Sequence, residues 1–288
     1  MDAPAWSGFL ASQTNGMRAE RSRAERLGSG RAAAAARSVY LRWLELRHGR
    51  RGVPWPLHGE SFRIDPRVRH LLPSSAEPAL FAYLRRTIQP GEVVLDAGGF
   101  LGAYAILAAR WAGPSGRVVM FEPSPWSAAI ARAHLAVNPE GSRVTLIEAA
   151  VSDRAGSAQL ALNDEPYRNQ ILGHDPRGPR HDDPEGSYHT VSVVTIDDVC
   201  SEMRLRPTLI RMDVQGAEFA ALDGARDTIR SSRGSLRIVV EMHPQLWPSF
   251  GVAADVARAR LEALGLRARP LEGPDPFTAD GHAILEYI

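Results

Sequence analysis

From Pro78 onward the apolar positions switch between two periods. Leu80, Tyr83, Leu84 and Ile88 recur at helical spacing, and Pro90-Gly91 ends that segment. Val93 to Leu95 is then a continuous apolar run, as in a strand buried on both faces. Tyr104, Leu107, Ala108 and Trp111 predict a helix that stops near Gly113-Pro114, and Val118 to Phe121 predicts a second strand. Ser124-Pro125 reads as a helix start, a capping hydroxyl before proline at the first helical position. Trp126, Ile130, Ala133 and Val137 supply that helix's apolar stripe, and Asn138-Pro139 closes it. Val144 to Ile147 is a third strand.

This βαβαβ opening predicts an α/β fold, a doubly wound, Rossmann-like and mostly parallel sheet. Two further strands continue it. Leu209 to Met212 leads into a helix carrying Phe219, Leu222 and Ile229. Leu236 to Val240 precedes a helix through Val256, Ala259 and Ala263 that ends at Gly265. Ala283 to Tyr287 is expected as an antiparallel edge strand. Between Ser157 and Thr195 the pattern breaks, with strand-like Ala158 to Leu162 and Thr190 to Thr195 flanking a polar loop from Asn163 to His189. Upstream, Pro54 to Pro73 is rich in turn formers, with a short strand from Ser61 to Ile64. Val39, Trp43 and Leu46, behind the run Ala32 to Ala36, predict a helix whose apolar face packs on its own domain. The expected organisation is an N-terminal extension over 1–77, then a ligand-binding domain over 78–288 with an inserted loop at about 163–189.

Composition narrows the function. With 44% hydrophobic and 23% charged residues in 288, the chain has ample apolar surface to bury. No run of about 18 apolar residues occurs, so no spanning helix or stable membrane insertion is expected. Met1 to Leu10 lacks a cationic start before an apolar core, so no secretory leader is expected. Cys200 is the single cysteine, which excludes an intramolecular disulfide and a cysteine-built metal centre; a reducing cytoplasm is the expected compartment. The net charge of +1 gives no basis for nucleic acid as a partner. All 34 basic residues are arginine, so lysine Schiff-base chemistry and a lysine phosphate loop are excluded. Residues 1–52 hold ten arginines against four acids, a basic arm that can touch a membrane surface.

Candidate chemistry lies where strands end. Asp96-Ala97-Gly98-Gly99-Phe100-Leu101-Gly102 joins the first strand to its helix, and glycines belong where backbone approaches a ligand. Asp96 at the strand's carboxyl end would repel a pyrophosphate; it suits a cationic group such as the amine of S-adenosylmethionine. Glu122, 26 residues on and followed by Pro123, ends the second strand where a carboxylate can accept both ribose hydroxyls, a feature shared with NAD proteins. The adenine is expected beside Glu148 to Val151, including Ala150, with Ser152-Asp153 closing over it.

Four ordered stretches resemble the FkbM-type S-adenosylmethionine-dependent methyltransferases: Asp96 to Gly102, Phe121-Glu122-Pro123, Asp213-Val214-Gln215-Gly216-Ala217-Glu218, and Glu241-Met242-His243-Pro244. Val194 to Asp198 resembles that family's junction before the fourth core strand. The resemblance, over roughly Pro90 to His243, implies S-adenosylmethionine as cofactor and a small-molecule hydroxyl, on a sugar or polyketide-like product, as methyl acceptor. It implies cofactor contacts from Asp96, Gly98, Gly99, Phe100, Gly102, Glu122, Pro123, Ala150, Ser152 and Asp213. Of the residues at the sheet's carboxyl edge, His243 is expected as general base and Asp213 as an acid touching acceptor or cofactor. Glu218 and Glu241 are expected behind them. Phe100 and Gln215 depart from the family's usual Asn and Glu, which lowers activity or marks a different acceptor.

The loop residues His174, Asp175, His181, Asp182, Asp183 and His189 lack a spacing that would fix metal geometry. They are read as a solvated loop over the acceptor, and no metal ligands are assigned. Two other readings stay open. An NAD(P)-dependent oxidoreductase lacks support from the missing first glycine and the absence of a Tyr-x-x-x-Lys pair; a cofactor-binding protein without catalysis is suggested by Phe100 and Gln215. Oligomeric state is not legible.

Overall fold

The computed structural model describes residues 39–40, 43, 47, 51–163, 166–172 and 188–288. Strands β1 (Val53–Leu57) and β2 (Glu60–Ile64) form a hairpin of which the sequence announced only the second strand. Its two-residue turn places His58 at φ 46° and Gly59 at φ 87°, a left-handed pair that matches strand twist. Phe62 and Ile64 are buried in one cluster with Leu80 and Leu84 of α1 (Pro78–Thr87) and with the sheet beneath.

The regular alternation follows: β3 (Val93–Ala97), α2 (Ala103–Trp111), β4 (Arg117–Phe121), α3 (Pro125–Val137) and β5 (Val144–Ile147). A smaller sheet comprises β6 (Ala149–Val151), β7 (Gly156–Ala161), β8 (Gln170–Ile171) and β9 (Tyr188–Val194), in the order β6-β9-β7-β8. Then come α4 (Ile196–Glu202), β10 (Leu209–Met212), α5 (Glu218–Asp223), α6 (Arg226–Ser231), β11 (Arg237–Met242), α7 (Ala254–Ala263), β12 (Leu266–Pro270) and β13 (Gly281–Tyr287).

The main sheet has seven strands in the order β12-β13-β11-β10-β3-β4-β5, and β13 alone runs antiparallel to its neighbours. Successive side chains feed opposite layers. Leu95, Val119, Ile210 and Ile238 pack with Phe219, Leu222 and Trp247 on one face; Val94, Val118, Leu209 and Val239 pack with Ile106 and Leu107 on the other. The chain leaves β3 toward β5 and returns at β10, so a crevice opens at the carboxyl ends between β3 and β10.

Several expectations need correcting. Ala283 to Tyr287 is interior; β12 is the edge, its Arg267 and Arg269 pairing with Glu286 in solvent. The helix after β10 breaks at Gly224, where a Cβ would stand 2.0 Å from the Ser152 carbonyl oxygen; Asp197 accepts from the Asp227 and Thr228 amides that open α6. In α3 the buried residues are Ser127, Ala128, Ile130, Ala131, His134 and Leu135; of the expected stripe Ile130 is buried and Ala133 is exposed. In α7 Ala257 and Leu261 are buried and Val256 is exposed. Part of the expected loop is sheet: Ile171 pairs with Leu160, and His189 lies within β9. His174, Asp175, His181, Asp182 and Asp183 lie outside the described residues, as do Leu46 and the Ala32 to Ala36 run. Val39 and Trp43 are helical and exposed, and Arg69 lies over the ring of Tyr40 beside them. Among the described residues no helix is long and apolar enough to cross a membrane.

Candidate active site

The turn after β3 is held by its neighbours on both sides. Gly98 and Gly99 donate their amides to the Phe121 carbonyl at 2.9 and 3.0 Å. Gly98 has φ 80°, and a Cβ there would meet the Asp213 carbonyl oxygen at 1.8 Å, so only glycine lets the turn lie against the end of β10. Phe100, at φ 50°, donates its amide to Glu122 Oε2 at 2.8 Å, while Glu122 Oε1 accepts from Ser124 N at 2.9 Å. Burial pushes the Glu122 carboxyl up to about 8, against the pull of those two amides.

A cavity of about 480 Å³ opens at the carboxyl ends of the strands. Gly98, Gly99, Phe100, Glu122, Pro123 and Ala150, all expected as cofactor contacts, line it. Asp213 and Glu241 line it too, with Arg211, Gln215 and Glu77. The hairpin adds an apolar wall from Trp55, Leu57 and Phe62, anchored where Trp55 Nε1 donates to the Leu72 carbonyl at 2.7 Å. Leu160, Tyr167 and Ile171 come from the smaller sheet and its connection.

Asp96, Gly102 and Ser152 do not line this cavity. Asp96 is 1% exposed, and its cationic partner is internal: Arg211 Nη1 lies 3.2 Å from Asp96 Oδ1, and Nη2 lies 3.0 Å from Asp213 Oδ2. The same guanidinium donates to the Gly98 carbonyl at 2.8 Å. Gly102 starts α2 beneath Met120 and Ala131, and the Ser152 amide donates to the Val194 carbonyl. Arg211 escaped notice in the sequence, although a lone charge in the buried run Leu209–Met212 demands a buried counter-ion. Desolvation would lower its pKa, but Asp213, Asp96 and Glu77 hold it above the ordinary value.

At the far side, carboxylates and imidazoles converge. His243 Nδ1 lies 2.8 Å from Glu218 Oε1; Glu218 is fully buried and also accepts from Gly216 N and Trp247 Nε1. His243 Nε2 lies 3.8 Å from Glu241 Oε1, 4.0 Å from Asp213 Oδ1 and 3.0 Å from Gln215 Nε2. Gln215 Nε2 also donates to Asp213 Oδ1 at 2.8 Å. Burial opposes protonation of His243, but Glu218, Asp213 and Glu241 outweigh it and push the ring up to about 9. The Gln215 amide nitrogen beside Nε2 works the other way, because it donates to that nitrogen only when the ring is neutral there. Burial, then the Asp213 charge, pushes Glu241 up to about 7. Burial would also raise Asp213, yet Arg211 and His243 hold it below the usual carboxylate range. Neither His243 nor Glu218 lines the cavity; Asp213 and Glu241 do. Glu77 and His282 complete the cluster, and no sequence signal placed them there: they lie far from both motifs in the chain.

Residues 96–268, more than half of the chain, match the family model for the methyltransferase FkbM domain. A curated relative, the 2-O-methyltransferase NoeI of Sinorhizobium fredii (strain NBRC 101917 / NGR234), is 33% identical over 156 residues. That alignment covers 50% of this chain and 62% of the relative, so the chain spans less than two thirds of its length. Among solved structures, the methyltransferase FkbM from Methylobacillus flagellatus KT is 17% identical, with a TM-score of 0.44, covering 71% of this chain and 50% of that one. The O-methyltransferase from Bacillus cereus in complex with SAH is 14% identical, with a TM-score of 0.46, covering 76% and 84%.

Proposed function

The chain belongs to the FkbM methyltransferase family, and from that premise we propose that it moves a methyl group from S-adenosylmethionine to a hydroxyl of a small molecule, a sugar or polyketide-like product. The observation that carries this reading is the composition of one cavity. A glycine turn and a ribose-type carboxylate, Glu122, line it together with Asp213 and with Glu241, a carboxylate able to take a proton. The curated relative, a 2-O-methyltransferase, supports oxygen as the accepting atom.

The residues present fit the cofactor. Glu122 keeps lone pairs for ribose hydroxyls beyond the two backbone amides it already accepts. The Gly98–Phe100 turn suits the methionyl group, and Ala150 in buried β6 suits a purine face. Asp96 acts at one remove, by holding Arg211 and through it Asp213. Bound there, the cofactor supplies an electrophilic methyl carbon on a sulfonium, which needs an in-line oxygen and a site that sheds water.

An alcohol must lose its proton as its oxygen attacks. Glu241 is the group placed to take it: it faces the cavity and changes charge at about 7. His243 was the sequence's choice for that role. Its position behind the wall and the carboxylates that push its pKa up suit it better to stabilising the ionised Glu241, with Glu218 orienting the ring. Asp213 orients the acceptor from the cavity wall, its two oxygens held in place by Arg211 and Gln215. Methyl transfer from labelled S-adenosylmethionine to a panel of hydroxylated acceptors tests the reading. Label in an alkali-stable ether supports it, and a bound cofactor with no transfer to any hydroxyl contradicts it.

A further inference from the structure

The segment from Asp213 to Glu218 grips His243 at both ring nitrogens. Glu218 Oε1 accepts from Gly216 N at 2.8 Å and lies 2.8 Å from His243 Nδ1, while Glu218 Oε2 accepts from Trp247 Nε1 at 2.8 Å. A carboxylate set among N–H donors only accepts, so Nδ1 carries a hydrogen toward it. At the other nitrogen stands Gln215, whose Nε2 lies 2.8 Å from Asp213 Oδ1 and 3.0 Å from His243 Nε2. The backbone that presents Gln215 is constrained. Gln215 holds φ 50°, and Gly216 follows at φ 98°, where a Cβ would stand 2.7 and 2.8 Å from Phe250 and Leu246.

The orientation of the Gln215 amide follows from Asp213, which Arg211 keeps ionised. An ionised carboxylate has no hydrogen to give, so the amide atom 2.8 Å from it is the nitrogen and not the carbonyl oxygen. The second hydrogen of that nitrogen then faces His243 Nε2. A neutral ring with its hydrogen on Nδ1 accepts it through the Nε2 lone pair. A charged ring carries a hydrogen on each nitrogen, and two N–H groups would meet head to head. The amide must then swing away or turn over, and either movement takes its hydrogen from Asp213.

We propose that Gln215 is a positioning residue: its nitrogen bridges Asp213 to the uncharged Nε2 of His243, so the carboxylate that orients the acceptor is fixed only while the ring is neutral. The idea rests on the reading of the site as a hydroxyl methyltransferase. The charged groups that face the ring are Glu218 at the start of α5, Asp213 beyond the end of β10 and Glu241 on β11, and all three favour the imidazolium. Gln215 favours the neutral form, and its bridge sets the pH at which the ring takes up charge against them. His243 can lend that charge to an ionised Glu241 only by giving up the bridge. A glutamate at position 215, which the family resemblance calls for, would add a fourth negative group, hold the ring charged and set a second carboxylate against Asp213.

The test uses the full chain, Q215M and Q215E, with H243Q to assign the His243 signal in NMR spectra of histidine-labelled protein. Q215M keeps the length of the side chain and loses the donor, and its ring is expected to take up a proton at a pH about 0.5 to 1 higher, the worth of one hydrogen bond. Q215E is expected to move that point up by about 1 or more, and it carries the ring titration should Q215M fail to fold. In the parent, acceptor KM is expected to fall as pH rises through the ring's measured titration point. In Q215M that fall disappears and KM stands about two- to tenfold higher above the point, with kcat and S-adenosylhomocysteine affinity changed less. A ring that titrates alike in the parent, Q215M and Q215E overturns the bridge. So does a shifted ring with a parent-like acceptor KM at every pH, because Asp213 is then held without the amide. A parent that binds cofactor but methylates no hydroxyl overturns the reading of the site, and the ring titration still decides the bridge.

Discussion

Arg211 and Asp96 are register partners on the parallel strands β10 and β3, and their side chains form a buried ion pair at the cavity wall. The guanidinium continues to Asp213 and to the Gly98 carbonyl, so one buried cation holds the glycine turn, a strand end and a cavity-facing acid in fixed relation. The carboxylate that sequence reasoning assigned to the cofactor's amine thus gives one oxygen to the scaffold, and its other oxygen, Oδ2, is buried without a hydrogen-bond partner.

Replacing Arg211 by Met leaves Asp96 buried without a counter-ion. The expected loss is about 3–5 kcal/mol in unfolding free energy, read from denaturant titration, because an uncompensated buried charge is costly. D96N in the same background should recover part of that loss. A variant R211M as stable as the parent would show that the pair contributes nothing.

Gly98→Ala is expected to destabilise by about 3 kcal/mol or more and to abolish S-adenosylhomocysteine binding. The added Cβ meets the Asp213 carbonyl and the residue must hold a positive φ. Calorimetric titration and thermal melting read the two effects separately.

Glu122 gives a pH signature. Its carboxyl is protonated below about 8 in the free protein, and ribose hydroxyls prefer the ionised form as their acceptor. Affinity for S-adenosylhomocysteine should rise by up to about tenfold per pH unit below that point and level off above it. The unliganded protein moves the opposite way. Because folding raises this pKa, the stability Glu122 lends in acid is lost as pH climbs from the ordinary carboxylate range to about 8. E122Q should flatten both curves and weaken binding; unchanged affinity and slope would remove Glu122 from the ribose site.

Much of this was legible in the chain, and the rest was hidden for physical reasons. Val93–Ala97 and Arg117–Phe121 lie inside the sheet, and interior parallel strands announce themselves as apolar runs. The stripe of α3 was read correctly at Ile130 and wrongly at Ala133, and its small buried residues were passed over because large ones were weighted. The face against the sheet is built from Ser127, Ala128 and Ala131, with His134 bonded to the Leu101 carbonyl, which lets the helix sit close. β12 alternates Leu266 and Ala268 with arginines, a two-residue period that was passed over between a glycine and a proline. The cavity-lining set of Gly98 to Phe100, Glu122, Asp213 and Glu241 followed from strand ends. Glu77 and His282 could not, since only the antiparallel pairing of β13 with β11 and the turn before α1 bring them to Glu241.

The central claim is that this site methylates a hydroxyl and that Glu241 takes the hydroxyl's proton. Its most direct test is kcat for methyl transfer as a function of pH, in the parent, E241Q and H243Q, with cofactor binding measured in each. The account predicts a parent profile rising through about 7, a loss of about 10²–10⁴ in E241Q with cofactor still bound, and a smaller loss in H243Q. Parent-like turnover in E241Q, or a larger loss in H243Q than in E241Q, would contradict it.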